Sequence, residues 1–129
     1  LEQNQVRVRN HVAQVHAERL RNRFLNTYYQ RLMAVANRLE ARLRLMADEG
    51  HDMTEAQAKL AEAKQKITEA KTYSEQAITN FEDLATTEPT EQSDQALQAR
   101  DLALKAREAF QAALQLLKEA VRLAHEAIS

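Results

Sequence analysis

The nine residues Glu49–Gln57, which read EGHDMTEAQ, decide how this chain folds. They include Gly50, the only glycine among 129 residues, and they separate two long stretches with a helical pattern. A glycine can end a helix in the left-handed conformation without a steric penalty. Thr54, with Gln57 three residues later, has the spacing of a capping box that begins the next helix. The sequence therefore predicts that the chain turns back on itself at this point.

The composition favours helices throughout. One Gly, one Pro and no Cys accompany many Ala, Leu, Glu, Gln, Arg and Lys residues, and aromatic residues make up 5% of the chain. The abundant types lose little rotamer freedom in a helix, whereas the types that favour strands are scarce. A second break is expected at Pro89, which cannot lie inside a helix without losing a hydrogen bond. We expect an all-α protein of three long antiparallel helices, at about residues 5–49, 54–86 and 90–128.

The apolar residues of the first helix follow one another at steps of three and four. Several pairs lie eleven residues apart, which predicts a nearly straight or slightly right-handed seam. This seam comprises Leu20, Phe24, Tyr28, Leu32, Val35, Leu39, Leu43 and Met46.

The second helix has a heptad pattern in which large and small residues alternate, so a neighbouring helix can approach closely over the alanines. Its seam comprises Ala56, Leu60, Ala63, Ile67, Ala70, Ser74, Ala77, Phe81 and Leu84. In the third helix three seam residues again lie eleven apart, namely Ala99, Phe110 and Val121. The whole third seam comprises Ala99, Leu102, Ala106, Phe110, Ala113, Leu117, Val121, Ala124 and Ile128.

Unequal helix lengths predict an overhang at the start of the chain. At 1.5 Å per residue the first helix spans about 67 Å and the second about 50 Å. If the two pair backward from Gly50, residues 1–15 extend beyond a bundle formed by residues 16–129. Gln5–Arg9 alternates apolar and polar residues, which fits either a short strand or the start of a helix. The overhang carries apolar residues that we expect to contact a neighbouring subunit: Val6, Val8, Val12 and Val15.

Charge divides unevenly along the chain. Residues 1–49 carry a net charge of +4, residues 50–96 of −6 and residues 97–129 of +1. Antiparallel neighbours of opposite charge would complement each other. The alternative is that a basic patch binds phosphate on nucleic acid or an anionic membrane surface, although a pI of about 6.5 argues against nucleic acid. That patch comprises Arg7, Arg9, Arg19, Arg21 and Arg23.

Two further groups of residues have a functional and a structural interpretation. Tyr29 lies about 100° around the helix from Tyr28, so it is either a surface residue or part of a second contact face. His51, Asp52 and His125 would lie at the same end of an up-down-up bundle, where two histidines and a carboxylate form a candidate zinc set. Nothing in the sequence determines their separation.

Catalysis is not expected. The chain has no Cys, three Ser and no glycine-rich phosphate loop, and its carboxylates recur at helix-surface intervals. We therefore expect neither an enzyme nor a bound cofactor. No apolar run approaches the roughly 20 residues that cross a bilayer.

The run Asp48–Lys64 (DEGHDMTEAQAKLAEAK), followed by Ile67–Lys71 (ITEAK), resembles a type of uncharacterised helical protein. These are Ala/Glu/Lys-rich proteins predicted to be exported in small-genome, uncultivated bacteria. They have an Arg-rich helix, a turn with Glu-Gly and Asp, an Ala-Lys-Glu helix, a polar break and an Ala/Leu-rich helix. The likeness covers roughly residues 30–128. It implies an extracellular or cell-envelope setting with no established activity, and a start at Leu1 rather than Met fits a processed chain or a fragment. A cytoplasmic location stays open.

The sequence thus predicts a structural, self-associating subunit of an extended assembly, such as a filament, in which the N-terminal arm contacts a neighbouring subunit. One alternative is an adaptor bundle that binds a partner protein through Ala/Leu grooves. The other is a basic-arm binder of nucleic acid or an anionic membrane.

Overall fold

The computed structural model describes residues 2–84 and 92–129, without the side chains of residues 2–4, 6 and 92. The long first helix consists of α1 (Glu2–Leu20), a π-helical segment (Arg21–Tyr29) and α2 (Gln30–Asp48). It is followed by α3 (Thr54–Asp83) and α4 (Gln92–Ile128). The all-α fold of three long helices is confirmed, and Gln5–Arg9 is helical rather than a strand. The break predicted at Pro89 lies outside the described residues.

Gly50 ends the long first helix as predicted. Its φ of +98° lies in the region that favours glycine. The His51 N–H donates to the Met46 carbonyl at 3.1 Å, and the Gly50 N–H donates to the Ala47 carbonyl at 3.0 Å. This pair of bonds is the Schellman motif, which satisfies two carbonyls left free at the helix end.

The predicted capping box is wrong. α3 begins at Thr54 itself, and the first helical bond runs from the Gln57 N–H to the Met53 carbonyl at 2.8 Å. The cap comes from Asp52, whose Oδ1 accepts the Thr54 N–H at 3.1 Å and the Thr54 hydroxyl at 2.7 Å. The N-cap residue is Met53, which is 2% exposed, so the cap lies one residue before the predicted Thr54.

α3 and α4 form the closest helix pair. Their Cα atoms lie within 8 Å of each other along more of their length than those of any other pair of elements in the described chain. Small side chains at the contact permit a short interaxial distance. Both helices place a buried alanine at every seventh position: Ala56, Ala63, Ala70 and Ala77 in α3, and Ala99, Ala106, Ala113 and Ala120 in α4.

The heptad seam of α3 is confirmed, because all nine of its predicted residues are buried. The eleven-residue pattern of α4 is wrong. Val121 is 41% exposed, and Ile128 is 42% exposed, whereas Ala120 is fully buried. The heptad of alanines determines which face of α4 meets α3. Val121 therefore lies beside that contact and not within it.

The predicted seam of the long first helix is wrong at Val35, which is 41% exposed while Ala36 is buried. Tyr28 is 39% exposed, and its ring packs on Phe110 of α4 with centroids 5.7 Å apart; Tyr29 lies deeper, against the core. The residues that face the other helices advance by steps of three and four except for one step of five, from Phe24 to Tyr29. In full they are Ala13, Ala17, Leu20, Phe24, Tyr29, Leu32, Ala36, Leu39, Leu43 and Met46.

The π-helical segment accounts for the step of five. A π-helix pairs residues five apart, so it accommodates one more residue per turn than an α-helix. The Thr27 hydroxyl donates to the Asn22 carbonyl, five residues earlier, at 2.9 Å. Leu20 and Gln30, which flank the segment, keep ordinary helical angles, so the helix continues through it. The segment thereby brings two stretches of heptad pattern onto the same side of the bundle.

Packing on α3 continues to the start of the predicted bundle and slightly beyond it. At this end Ala13 and Ala17 are 5% and 2% exposed and contact Ile78, Phe81 and Leu84. Buried contact therefore reaches Ala13, inside the segment 1–15 that was predicted to extend past the other helices.

The close contact of α3 and α4 predicts that Ala113→Leu destabilises the protein by about 1–3 kcal/mol, because added methylenes force the two helices apart. The same change at the exposed Ala58 should alter the free energy of unfolding by no more than about 0.5 kcal/mol. Urea unfolding followed by circular dichroism measures both. Equal effects at the two sites would contradict the close contact.

The step of five predicts that removing one residue from the π-helical segment is tolerated. Deletion of the exposed Asn26 shortens that step to four and should change the Tm by less than about 5 °C. Deletion of the exposed Asn37, in α2, should lower the Tm by about 10 °C or more, because it rotates the following seam residues out of the core. Thermal melts compare the two deletions, and a larger loss for Asn26 would refute the role of the segment.

Candidate binding groove

A groove opens at the end of the bundle that lies away from Gly50. Here α1 packs on α3, whereas its Cα atoms scarcely come within 8 Å of those of α4. The resulting cavity has a volume of about 530 Å³. Its apolar lining comes from α1, α3 and α4 and from Leu84, which directly follows α3. The apolar residues are Val8, Val12, Ala13, Phe81, Leu84 and Ala96.

A second cavity of about 420 Å³ continues the groove toward the middle of the bundle. It shares His16, Phe81 and Arg100 with the first cavity and adds apolar contacts from Leu20 and Phe24. The two cavities therefore lie next to each other along the side of α1.

The floor of the groove is well packed. Phe81 and Leu84 are 7% and 8% exposed and belong to the same core cluster as Ala13. The His16 ring stacks on Phe81 with centroids 5.3 Å apart. Val8 and Val12, at 62% and 47% exposed, form a wall that stays open to solvent.

The rim of the groove is basic. Arg9 lines the first cavity, Arg19 and Arg23 line the second, and Arg100 lines both. All four are exposed, and no Asp or Glu is among the described residues that line either cavity. Like charges gathered around a concave apolar surface create a positive potential that attracts anions.

The predicted basic patch is divided between surfaces. Arg9, Arg19 and Arg23 lie at the groove, whereas Arg21 forms an ion pair with Glu82 of α3 and lies beside a different pocket. Arg7 is exposed on α1. A basic residue of the first helix and an acid of α3 thus meet at Arg21, as complementary neighbours should.

In a second ion pair between the long first helix and α3, the acid belongs to the first helix and the base to α3. Lys64 of α3 binds Glu40 of α2. The Lys64 hydrogen bond, and then its charge, lower the pKa of the Glu40 carboxyl below its usual value. Ion pairs of both polarities therefore join the long first helix to α3, and the net charges of the two helices do not account for each of them.

The predicted assembly residues have different surroundings. Val8 and Val12 form the groove wall, Val15 is half-buried, and the Val6 side chain lies outside the described residues. Tyr29 packs against its own bundle, and the Lys71 ammonium lies 4.9 Å above its ring. The ring of Tyr29 is thus directed into the chain, where a cation–π contact holds it.

The candidate zinc residues do not form a ligand set. Asp52 caps α3, and no group of three His, Asp or Glu side chains suited to a metal ion occurs in residues 2–84 or 92–129. His51 and His125 are both exposed.

α4 carries an additional apolar stripe on its outer surface, which we call the outer seam. Its residues form two groups with heptad intervals, Leu97 with Leu104 and Leu114 with Val121 and Ile128, and the ten-residue step between the groups contains Arg107 and Gln111. They are 41–61% exposed and comprise Leu97, Leu104, Leu114, Val121 and Ile128. Only the last two of these residues belonged to the predicted core seam.

The outer surface of α3 is acidic instead. No large apolar residue of α3 is exposed in the described part of the chain. Its exposed acids at intervals of seven form what we call the acidic stripe: Glu55, Glu62 and Glu69. Lys59 and Lys66 pair with two of these acids at 3.6 and 3.0 Å.

Sequence reasoning missed Arg100, the residue shared by both cavities. It lies on α4, far along the chain from the arginines of α1, and no local spacing connects them. The sequence could have indicated the exposure of Leu97, Leu104 and Leu114, because these leucines lie outside the alanine heptad of α4.

No protein-family model, curated protein or solved structure matches this chain. None of the helices in the described ranges combines the length and apolar character needed to cross a membrane.

The Asp52 cap predicts a pH-dependent contribution to stability. Hydrogen bonds from the Thr54 hydroxyl and then the Thr54 N–H hold the pKa of Asp52 below its usual value. A depressed carboxyl pKa stabilises the fold above the unfolded-state pKa, and this stabilisation is lost as the pH falls through the folded-state pKa. Asp52→Ala should therefore be less stable than the parent at neutral pH, and the difference should shrink in acid.

Urea unfolding as a function of pH measures that difference, and NMR titration of the Asp52 carboxyl measures its pKa directly. Thr54→Val removes the hydroxyl donor but keeps the N–H, so it should move the pKa partway back toward the usual value. An ordinary Asp52 pKa in the parent protein would contradict the cap.

Proposed function

We propose that the protein is a structural subunit that associates with further copies of itself through the outer seam of α4. The observation that carries the proposal is the exposure of five large apolar side chains, in two groups with heptad spacing, on one helix. Scattered exposed apolar residues are common, but a stripe with this periodicity is what a helix presents to another helix.

The acidic stripe of α3 on a second copy is the surface that fits the outer seam. Arg107 follows Leu104 by three residues and Lys118 follows Leu114 by four, so each cation shares a face with an apolar residue of the seam. Small residues such as Ala58 and Ala61 are exposed on α3 and leave room for leucine side chains. Charge and shape therefore both favour α4 against α3.

This contact joins two different surfaces of the same chain. Such a head-to-tail contact closes into a ring only if its rotation permits, and otherwise produces an open filament. An extended assembly follows naturally from a seam on α4 and a stripe on α3. The cell-envelope or extracellular setting is proposed on the resemblance of Asp48–Lys71 alone.

The N-terminal arm is the second candidate contact. Val8 is 62% exposed, so contact with another subunit would remove apolar surface from water. However, the arm carries Arg7 and Arg9, and the groove of another copy is lined by Arg19, Arg23 and Arg100, so insertion of the arm there brings like charges together. The α4 seam lacks this conflict.

Light scattering coupled to size exclusion tests the proposal. We expect the average mass to exceed 14.7 kDa and to rise with protein concentration. The double variant Leu104→Gln/Val121→Gln should return it to the monomer mass, because polar side chains remove the apolar contact. A matched control, Leu45→Gln, changes an equally exposed leucine outside the seam and should leave association intact.

Val8→Gln/Val12→Gln separates the two candidate surfaces. Association that survives this change but not the seam variant identifies α4, and the reverse identifies the arm. A mass of 14.7 kDa at every concentration would refute self-association and favour an adaptor that binds a different protein.

A further inference from the structure

We propose that the groove between α1 and α4 binds a medium-chain fatty acid, with its carboxylate among Arg19, Arg23 and Arg100 and its hydrocarbon chain in the cavity lined by Val8 and Val12. The site includes Arg100, which lies between Leu97 and Leu104 of the outer seam, so ligand binding and self-association are measured separately.

The size of the groove suits a narrow ligand. Its larger cavity, about 530 Å³, lies within the roughly 300–1,000 Å³ of small-molecule sites. A single turn of a 10–12 Å wide helix fills roughly 420–610 Å³, so the same cavity holds about one turn of a partner helix. So short a helix is only marginally stable by itself, and a flexible chain fits better.

The distribution of polar and apolar groups suits an amphiphile with a negative head. The larger cavity offers hydrocarbon contacts from Val8, Val12, Phe81 and Leu84, beside Arg9 and Arg100. The smaller cavity contains Arg19, Arg23 and Arg100 with no acid in its described lining. Because both cavities are lined by His16, Phe81 and Arg100, a chain in the larger one and an anion in the smaller one can belong to the same ligand.

Arginine is suited to this task, because its guanidinium binds a carboxylate through two parallel hydrogen bonds. Arg100 is the arginine that lines both cavities, so it can reach a head group that lies between them. A nucleic acid would need an extended polar surface for its phosphates, whereas the floor here is the apolar surface of Phe81 and Leu84. Burial of a hydrocarbon chain against that floor supplies binding free energy that a phosphate backbone cannot.

Isothermal titration of the full-length protein with sodium dodecanoate below its micelle concentration tests the site. We expect one bound dodecanoate per chain, and affinity that falls as salt screens the arginines. Dodecyltrimethylammonium, which has the same chain and the opposite charge, should bind at least about tenfold more weakly, and butyrate, which lacks the chain, should not bind measurably.

Two variants and one control separate the contributions. Arg100→Gln should weaken dodecanoate binding by about tenfold, because it removes a charged hydrogen-bond partner. Val12→Asp should abolish binding, since it places a negative charge on the chain cavity. Arg42→Gln, an exposed arginine of α2 outside the groove, should bind as the parent does. Circular dichroism confirms that each variant keeps its helicity.

Three results would overturn the proposal. Equal affinity for the carboxylate and the ammonium would show that no anion site exists, and equal loss for Arg100→Gln and Arg42→Gln would show that the site lies elsewhere. The third is failure to bind dodecanoate. Titration of an acidic amphipathic peptide would then test whether the groove binds a protein helix, and titration of vesicles of anionic phospholipid would test whether it binds a membrane surface. Because light scattering reads self-association separately, loss of either property leaves the other measurable.

Discussion

The close contact between α3 and α4 is the constraint on which the rest of the structure depends. Alanine at every seventh position of both helices lets the two backbones approach, and methylenes at these positions would hold them apart. The pair has little space for large side chains, so the bulk of the core comes from Leu60, Ile67, Phe110 and Leu117 beside the alanines. The long first helix therefore packs on the surface that the α3–α4 pair presents.

That surface explains the π-helical segment. Near the Gly50 turn, Leu32, Leu39 and Met46 fit against α3 and α4 with a heptad spacing, and beyond Phe24 a second heptad stretch begins. The two stretches are out of phase, and a π-helical turn corrects the phase without breaking the helix. Past this correction α1 continues along α3 but leaves α4, and the groove is the space between them.

The surface divides into three zones of distinct chemistry. The acidic stripe belongs to α3, the apolar outer seam belongs to α4, and the groove combines an apolar floor with an arginine rim. Separate zones allow separate contacts: copies of the chain can meet through the seam and the stripe while an anionic amphiphile occupies the groove. The net charge of −1 conceals this division, because the zones of opposite sign cancel.

The sequence alone determined the all-α class, the reversal at Gly50 and the seam of α3, because helix propensity, glycine's freedom at positive φ and a strict heptad are local properties. The identity of Tyr29 and Ala36 as core residues, the first beside Tyr28 and the second in place of Val35, was decided by the π-helical segment, whose i to i+5 bonds leave no periodic trace in the sequence. Ala120 replaced Val121 because the contact with α3 selects small residues over large ones. The groove depended on Arg100 lining the same cavity as arginines some eighty residues away along the chain. These features arise from how three helices divide the available space, which only the tertiary structure specifies.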